Sequence, residues 1–225
     1  MRILTYTVTP EEDGRMVKGI LRGSLQLSYT LLKSLKWREN AILLNGQSVH
    51  VNTIVHAGDV VSVALSERTP REDLYCANAA KPDIVYEDDD LLVLNKPAGI
   101  AMHPKSGDAS ASSLAAILTS YLGEGSVPHF VSRLDKGTSG LLIAAKSGYV
   151  HDRLRRALHS SDLRREYRAV AVGRVEPPCG VIDAPIGRAE GSIIRLCVRA
   201  DGLPSLTEYE TLQVNDRFTL LRLRP

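Results

Sequence analysis

Short amphipathic segments alternate with turn residues along the first part of the chain. Residues 1–8 alternate apolar and polar positions, which predicts a short β-strand. Val17, Ile20 and Leu21 then recur at i, i+3 and i+4, the spacing that puts three side chains on one face of a helix. This helix is predicted to end near Gly23, because glycine favours helix C-termini.

A second helix and a hairpin are predicted to follow. Ser28 is a suitable N-cap, because its hydroxyl can accept a hydrogen bond from the first helical turn. Asn45-Gly46 lies between two β-prone runs, and both positions of such a two-residue turn need a positive φ. Residues 15–65 therefore predict a helix–helix–hairpin–strand unit. We assign this unit to a first domain of residues 1–66, and the polar, proline-containing residues 67–82 to a linker.

The remaining residues, 83–225, predict a larger α+β domain with a mostly antiparallel mixed sheet. Helical spacing occurs over Ser112–Leu122, and Ser147 is placed to cap a later helix. Several strand-like runs with turn signals between them fill the last third of the chain. The final run, FTLLRLR, alternates as a strand does.

Composition narrows the class of protein. Of the 225 residues, 44% are hydrophobic and 24% charged, which is typical of a soluble globular chain. No run of 18 apolar residues occurs, which argues against a membrane span, and no apolar signal-peptide core begins the chain, so we expect a cytoplasmic protein. The three cysteines form no CxxC pair, which argues against a disulfide framework and a cysteine-rich zinc site.

The charge distribution is more informative than the net charge of +2. Arginine supplies 20 of the 28 basic residues, and its guanidinium suits phosphate and base contacts better than lysine does. Seven arginines fall between Arg153 and Arg174. Clustering alone leaves two interpretations open, a solvated helix face and a phosphate-binding surface.

The segment from Arg133 to Gly140, RLDKGTSG, is the strongest candidate for chemistry. Asp135 follows an apolar strand, in a loop whose glycines allow close approach of a ligand. Thr138 and Ser139 could orient its carboxylate, and neighbouring cations could hold it ionised, so that it could act as a nucleophile or a base. The alternative is a surface turn that contains an ordinary ion pair.

The stretch VSRLDKGTSGLLIAAK closely resembles the catalytic motif of the RluA-type RNA pseudouridine synthases. Four further stretches, IVYEDDDLLVLNKPAG, RREYRAV, VIDAPIGR and LTEYETLQV, resemble other parts of that family and occur in the same order. Residues 15–65 resemble the small alpha-L RNA-binding module, mainly through the LLNGQSV hairpin.

The resemblance implies that the protein isomerises uridine to pseudouridine in a structured RNA, with no metal or other cofactor. It implies that Asp135 is the catalytic carboxylate, either attacking the ribose or removing a ribose proton. Arg133 would occupy the space left by the extruded base and contact phosphate, and Tyr167 would stack on the uracil.

Further RNA contacts are expected from other residues. Lys96 could touch phosphate or could be only a turn lysine, and His103 and His129 are weaker candidates. Within the arginine cluster we expect phosphate contacts from four residues: Arg155, Arg156, Arg164 and Arg165. The expected partner is RNA, with rRNA favoured over tRNA. We expect a monomer that does not bind a membrane.

Two departures from the family pattern affect these expectations. Ser132 stands where the family usually has histidine. The family also continues past a strand like FTLLRLR into a segment that supplies a basic partner for the catalytic carboxylate. We therefore expect a C-terminally incomplete catalytic domain in which FTLLRLR forms an open sheet edge. Two alternatives remain open: an RNA-binding protein without catalysis, and an unrelated α+β hydrolase that uses Asp135.

Overall fold

The computed structural model describes residues 2–65, 81–104, 113–123, 127–160 and 162–225. Most of the predicted linker lies outside these residues. The chain forms two compact units, Met1–Ala157 and Leu158–Pro225. Antiparallel pairing joins all the neighbouring strands described below, which confirms the predicted α+β class with a mostly antiparallel sheet.

The first unit begins with a small sheet and two short helices. Its elements are β1 (Arg2–Thr7), α1 (Val17–Arg22), α2 (Tyr29–Leu35), β2 (Ile42–Leu44), β3 (Gln47–Ser48) and β4 (Val60–Leu65), and the strand order is β1-β4-β2-β3. A single 3-10 turn, Pro10–Glu12, follows β1. These elements match the predicted helix–helix–hairpin–strand unit.

The predicted caps and turns of this part are present. The Ser28 hydroxyl accepts a hydrogen bond from the Leu31 amide at 3.2 Å and so caps α2. Asn45 and Gly46 have φ angles of 51° and 82°, as a hairpin turn between β2 and β3 requires. Local side-chain chemistry therefore sets both features.

The first unit continues with a second sheet and two helices. Its elements are β5 (Ile84–Glu87), β6 (Leu91–Lys96), α3 (Leu114–Leu122), β7 (His129–Phe130), β8 (Gly140–Ala145) and α4 (Gly148–His159), with the strand order β5-β6-β8-β7. Ser113 caps α3, so this helix begins two residues later than predicted; Ser112 lies outside the described residues. Ser147 caps α4 as predicted, its hydroxyl accepting from the Val150 amide at 3.2 Å.

Side chains of α4 join the hydrophobic core of the N-terminal elements. Ile20 and Leu21 of α1, both fully buried, belong to the same cluster as Tyr149 and Val150 of α4. An ion pair between Arg2 and Asp90 also joins them. The compact unit that contains the N-terminal elements therefore extends to Ala157, because α4 contributes apolar side chains to their core. The domain bounds 1–66, 67–82 and 83–225 stay predictions.

The second unit is built from strands. It contains β9 (Tyr167–Val172), β10 (Cys179–Asp183), β11 (Ile186–Arg188), β12 (Leu196–Val198), β13 (Leu206–Val214) and β14 (Phe218–Arg224). Four of them form a sheet in the order β10-β13-β14-β9, and β11 and β12 form a separate hairpin. The expectation that FTLLRLR forms an open edge is wrong, because β14 pairs with β13 on one side and with β9 on the other.

Candidate active site

The Asp135 loop connects β7 to β8. Val131 and Leu134 are buried and fix the loop to the body of the unit. The Thr138 amide donates to the Asp135 carbonyl at 3.0 Å, which closes a turn immediately after the carboxylate. The side chain of Asp135 is exposed. The loop thus combines an anchored backbone with a carboxylate that faces solvent.

Lys96, the last residue of β6, lies beneath this loop and is completely buried. Its ammonium donates to the carbonyls of Pro97 and Ile100, each at 3.0 Å, and to that of Lys136 at 3.4 Å. Three carbonyls thus surround the three donors of one ammonium, as a buried charge requires.

This burial bears on the two interpretations of Lys96, a phosphate contact and a turn lysine. An inaccessible ammonium whose hydrogen bonds go to backbone carbonyls has no donor left for RNA, so the alternative of a turn lysine fits better. Burial lowers the pKa of Lys96, and the negative charge of Asp135 opposes that shift. The buried cation is therefore close enough to the carboxylate to interact with it electrostatically.

The Lys136 carbonyl accepts a second hydrogen bond, from the Gly99 amide at 2.7 Å. Gly99 has a φ of +90°, a conformation that side-chain-bearing residues rarely adopt. The Pro97–Ile100 loop and the Asp135 turn are thereby joined at one oxygen atom. These residues place the backbone around Asp135 without touching its carboxylate.

The expected side-chain partners of Asp135 do not contact it. Among the described residues, no hydrogen bond or ion pair reaches its carboxylate, and Thr138 contributes its backbone amide and not its hydroxyl. Arg133 and Lys136 are exposed and form no ion pair in the described ranges. The carboxylate is available to a ligand, and its local order comes from the backbone.

Histidines and an aromatic side chain lie on β7 and near Arg133. His103 packs edge-on against Phe130, with ring centroids 5.6 Å apart. Partial burial, and then the positive charge of Arg133, lower the pKa of His103. The ring centroids of His129 and of His151 in α4 are 5.6 Å apart. His151 is not among the residues that the sequence singled out. Only its helical spacing from Ser147 could have indicated that His151 faces β7.

The arginine cluster is divided by its contacts. Arg153 donates to the Tyr149 hydroxyl at 3.0 Å, and Arg156 donates to the Gln26 carbonyl at 3.2 Å, so both have structural contacts. Arg155 is exposed and forms no ion pair within the described residues. The structure thus distinguishes Arg155 from Arg156, which the sequence treated as equivalent.

Three of the predicted site residues belong to the second unit. Arg164 and Arg165 are exposed and line a groove of about 770 Å³ together with Glu166 and Arg224. Tyr167 begins β9 and is half-buried. It is the last member of a row that crosses the sheet through directly paired positions: Gly180, Tyr209, Leu223 and Tyr167.

No three His, Cys, Asp or Glu side chains within the described ranges are grouped so that they could hold a metal ion. In that same part of the chain, no helix has the length and apolar character needed to cross a membrane.

Comparison with known proteins identifies the family. The model of the RNA pseudouridylate synthase family matches residues 90–225, which include the Asp135 loop and all of the second unit. This chain belongs to the RNA pseudouridylate synthase family. The match confirms the resemblance to the RluA-type enzymes, and the protein is an isomerase that acts on RNA.

Bacterial relatives extend this similarity over nearly the whole chain. An uncharacterized RNA pseudouridine synthase of Bacillus subtilis, YjbO, is 34% identical over 204 residues, which are 90% of this chain and 72% of the relative. Ribosomal large subunit pseudouridine synthase D of Vibrio parahaemolyticus is 34% identical over 227 residues, covering 99% of this chain and 68% of that protein.

A solved structure supports the fold of this pseudouridine synthase. Human RNA pseudouridylate synthase domain containing 1 superimposes with a TM-score of 0.52 at 23% identity, over 67% of this chain and 61% of that one. At this level of identity the likeness concerns the fold. The family model begins at residue 90, so the alpha-L assignment of residues 1–66 stays a prediction.

Proposed function

We propose that this pseudouridine synthase isomerises uridine in structured RNA and that Asp135 is its catalytic carboxylate. One observation carries the proposal: the carboxylate is exposed and unpartnered among the described residues, on a turn that Lys96 and Gly99 hold in place. A reactive group needs this combination of accessibility and fixed position.

The reaction rearranges bonds within one nucleoside. The N1–C1′ bond of uridine breaks, a C5–C1′ bond forms, the C5 proton is lost and N1 gains a proton. Asp135 can serve this exchange in two ways, by attacking C1′ as a nucleophile or by removing a ribose proton as a base. In either case the uracil must leave its stack, because stacked neighbours cover the reacting atoms.

The remaining site residues receive roles from the same proposal. Arg133 occupies the space of the extruded base and contacts phosphate, and Tyr167 stacks on the uracil. Arg155, Arg164 and Arg165 contact phosphate, which is supported by their exposed side chains. A phosphate contact is less well supported for Arg156, since its guanidinium already donates to the Gln26 carbonyl.

We propose rRNA as the substrate in preference to tRNA. The name of the Vibrio relative, a ribosomal large subunit enzyme, supports this order. The proposed place of action is the cytoplasm, where bacteria hold both RNAs. We also propose that residues 1–66 bind RNA as an alpha-L-like module and that the protein acts as a monomer without a cofactor.

Tritium release tests the catalytic assignment. Transcripts of large-subunit rRNA and of tRNA, labelled with tritium at uracil C5, lose the label to water only if C5 exchanges its hydrogen for the ribose carbon. We expect release with the 225-residue chain and a loss of about 100-fold or more with Asp135→Asn. Asp89→Asn is the matched control, because Asp89 is an exposed aspartate without a partner in the described residues.

Two results would overturn the proposal. Equal release from Asp135→Asn and from the unchanged chain would remove Asp135 from the chemistry. Binding of labelled RNA without any release would instead establish the alternative, a family member that binds RNA without catalysis.

A further inference from the structure

The only tryptophan of the chain, Trp37, lies just after α2 and is 85% exposed. It borders a groove of about 520 Å³ in the N-terminal part of the first unit. Leu35 and Ile42 supply buried apolar surface at this groove, and Val49 and Val51 line its other side. An indole that stays in water beside an apolar concavity indicates a binding surface, since packing does not account for its position.

Basic and aromatic side chains continue along the outer face of α2. Tyr29 and Lys33 are one helical turn apart on α2, and Lys36 and Trp37 follow its last residue, while Leu32 and Leu35 occupy the buried face. Lys33 and Lys36 are exposed and form no ion pair in the described part of the chain. Tyr29 is 64% exposed and carries the Arg22 guanidinium 5.9 Å from its ring centre.

This pattern matches the chemistry of single-stranded RNA. Aromatic rings stack on nucleobases, and lysines without acidic partners attract the phosphates between the bases. A peptide could also fill an apolar groove, but the unpaired Lys36 in its lining, with the unpaired Lys33 three residues earlier, favours a polyanion. Helix α2 extends about 9 Å from Tyr29 to Leu35, and Lys36 and Trp37 continue the face beyond its end, which is enough for more than one nucleotide.

We propose that a base of single-stranded RNA stacks on Trp37, with its neighbouring phosphates on Lys33 and Lys36. This inference rests on the proposed function, which assigns RNA binding to residues 1–66, and deepens it by naming the contacting residues and the unpaired form of the RNA. It assigns to the N-terminal part a contact distinct from the Asp135 loop. The enzyme therefore holds a flanking unpaired stretch of its substrate while the target uridine reacts elsewhere.

Intrinsic fluorescence reads this contact directly, because Trp37 is the sole tryptophan. The experiment titrates a short oligouridylate into the full chain carrying Asp135→Asn, so that binding is measured without turnover. We expect quenching of Trp37. Measured by the anisotropy of labelled oligouridylate, Trp37→Ala weakens binding about 5- to 150-fold and Trp37→Phe retains most of it.

Two controls separate this contact from general effects. Tyr86→Ala removes another exposed aromatic, one bonded to the acidic Asp88, and should leave affinity unchanged. Lys36→Ala should reduce the slope of log affinity against log salt by about 0.7, the value for one phosphate contact on a single strand. Lys81→Ala, at an exposed lysine outside the face, should not change the slope.

The outcomes distinguish this inference from the catalytic proposal. Unquenched fluorescence together with unchanged affinity of Trp37→Ala overturns it, even if the enzyme releases tritium normally. A groove that takes a protein segment gives this same result. If Trp37 is quenched but the chain with Asp135 intact releases no tritium, the RNA contact is supported and only the catalytic assignment is overturned.

Discussion

The ammonium of Lys96 donates to the backbone carbonyl of Lys136, the residue after Asp135, at 3.4 Å. The same carbonyl binds the Gly99 amide, so one oxygen atom joins the two loops of the site. The position of the carboxylate thus depends on a charge that never reaches solvent.

Replacing Lys96 tests this dependence. Lys96→Met keeps much of the side-chain volume but removes the ammonium from three carbonyls, of which that of Lys136 keeps the Gly99 amide as a donor. We expect the free energy of unfolding to fall by about 2–4 kcal/mol and activity to fall further than the folded fraction does. Urea unfolding and tritium release measure the two effects. Lys81→Met is the control, at an exposed lysine, and a Lys96→Met protein as stable and active as the unchanged chain would refute the anchoring role.

Arg155 and Arg156 should respond differently to truncation. Arg155→Ala removes an exposed, unpaired cation, so we expect a shallower salt dependence of RNA affinity and unchanged stability. Arg156→Ala also removes the bond to the Gln26 carbonyl, which should lower the free energy of unfolding by about 1 kcal/mol. Filter binding at several salt concentrations measures the change in RNA affinity of each variant, and urea unfolding measures the change in its stability. Identical behaviour of the variants would contradict this division.

Glu12 should make stability depend on pH. This buried carboxylate accepts hydrogen bonds from the hydroxyls of Ser24 and Tyr6, and these bonds lower its pKa in the folded state, Ser24 contributing most. The unfolded chain therefore binds the Glu12 proton more tightly, at a pKa of about 4.3. The stabilisation is present above that pH and is lost as the pH falls through the folded-state pKa.

Unfolding by urea between about pH 7 and about pH 3 measures this loss. We expect Glu12→Gln to be less stable than the unchanged chain near neutral pH, by about 1.5–3 kcal/mol, and to show a smaller difference in acid. The exposed Glu39→Gln serves as control. A constant difference between Glu12→Gln and the unchanged chain at every pH would rule out this contribution.

The row that contains Tyr167 permits a double-mutant test. A Cβ added at Gly180 would lie 2.9 Å from the Tyr209 hydroxyl and 3.0 Å from its ring, so the ring must move. We expect Gly180→Ala to cost about 1–3 kcal/mol by urea unfolding, and much less in a Tyr209→Leu background, where the ring is absent. Additive costs would mean that the two positions do not compete for space.

Sequence reasoning succeeded where a short segment determines its own structure. Asn45-Gly46 adopts a turn that needs two positive φ angles, and Ser28 and Ser147 cap the helices that follow them. The strand-like run LTEYETLQV and the alternation of FTLLRLR predicted β13 and β14, because both signals are local.

It failed where the answer depends on residues distant in sequence. Lys96 is buried because carbonyls from two loops, 40 residues apart in the case of Lys136, converge on it. The core shared by α1 and α4 likewise follows from packing between helices that are distant in sequence. No local pattern contains either fact.

The interior position of β14 has a consequence for synthesis of the protein. β9, β10 and β13 leave the ribosome before β14 does. β14 lies between β13 and β9 in the sheet and forms hydrogen bonds with both. Strand β9 must therefore wait for a partner about 50 residues downstream, and such long-range pairing is slow to form. The four-stranded sheet of the second unit is complete only after β14 has emerged, whereas the strands of the first unit can already pair on the nascent chain.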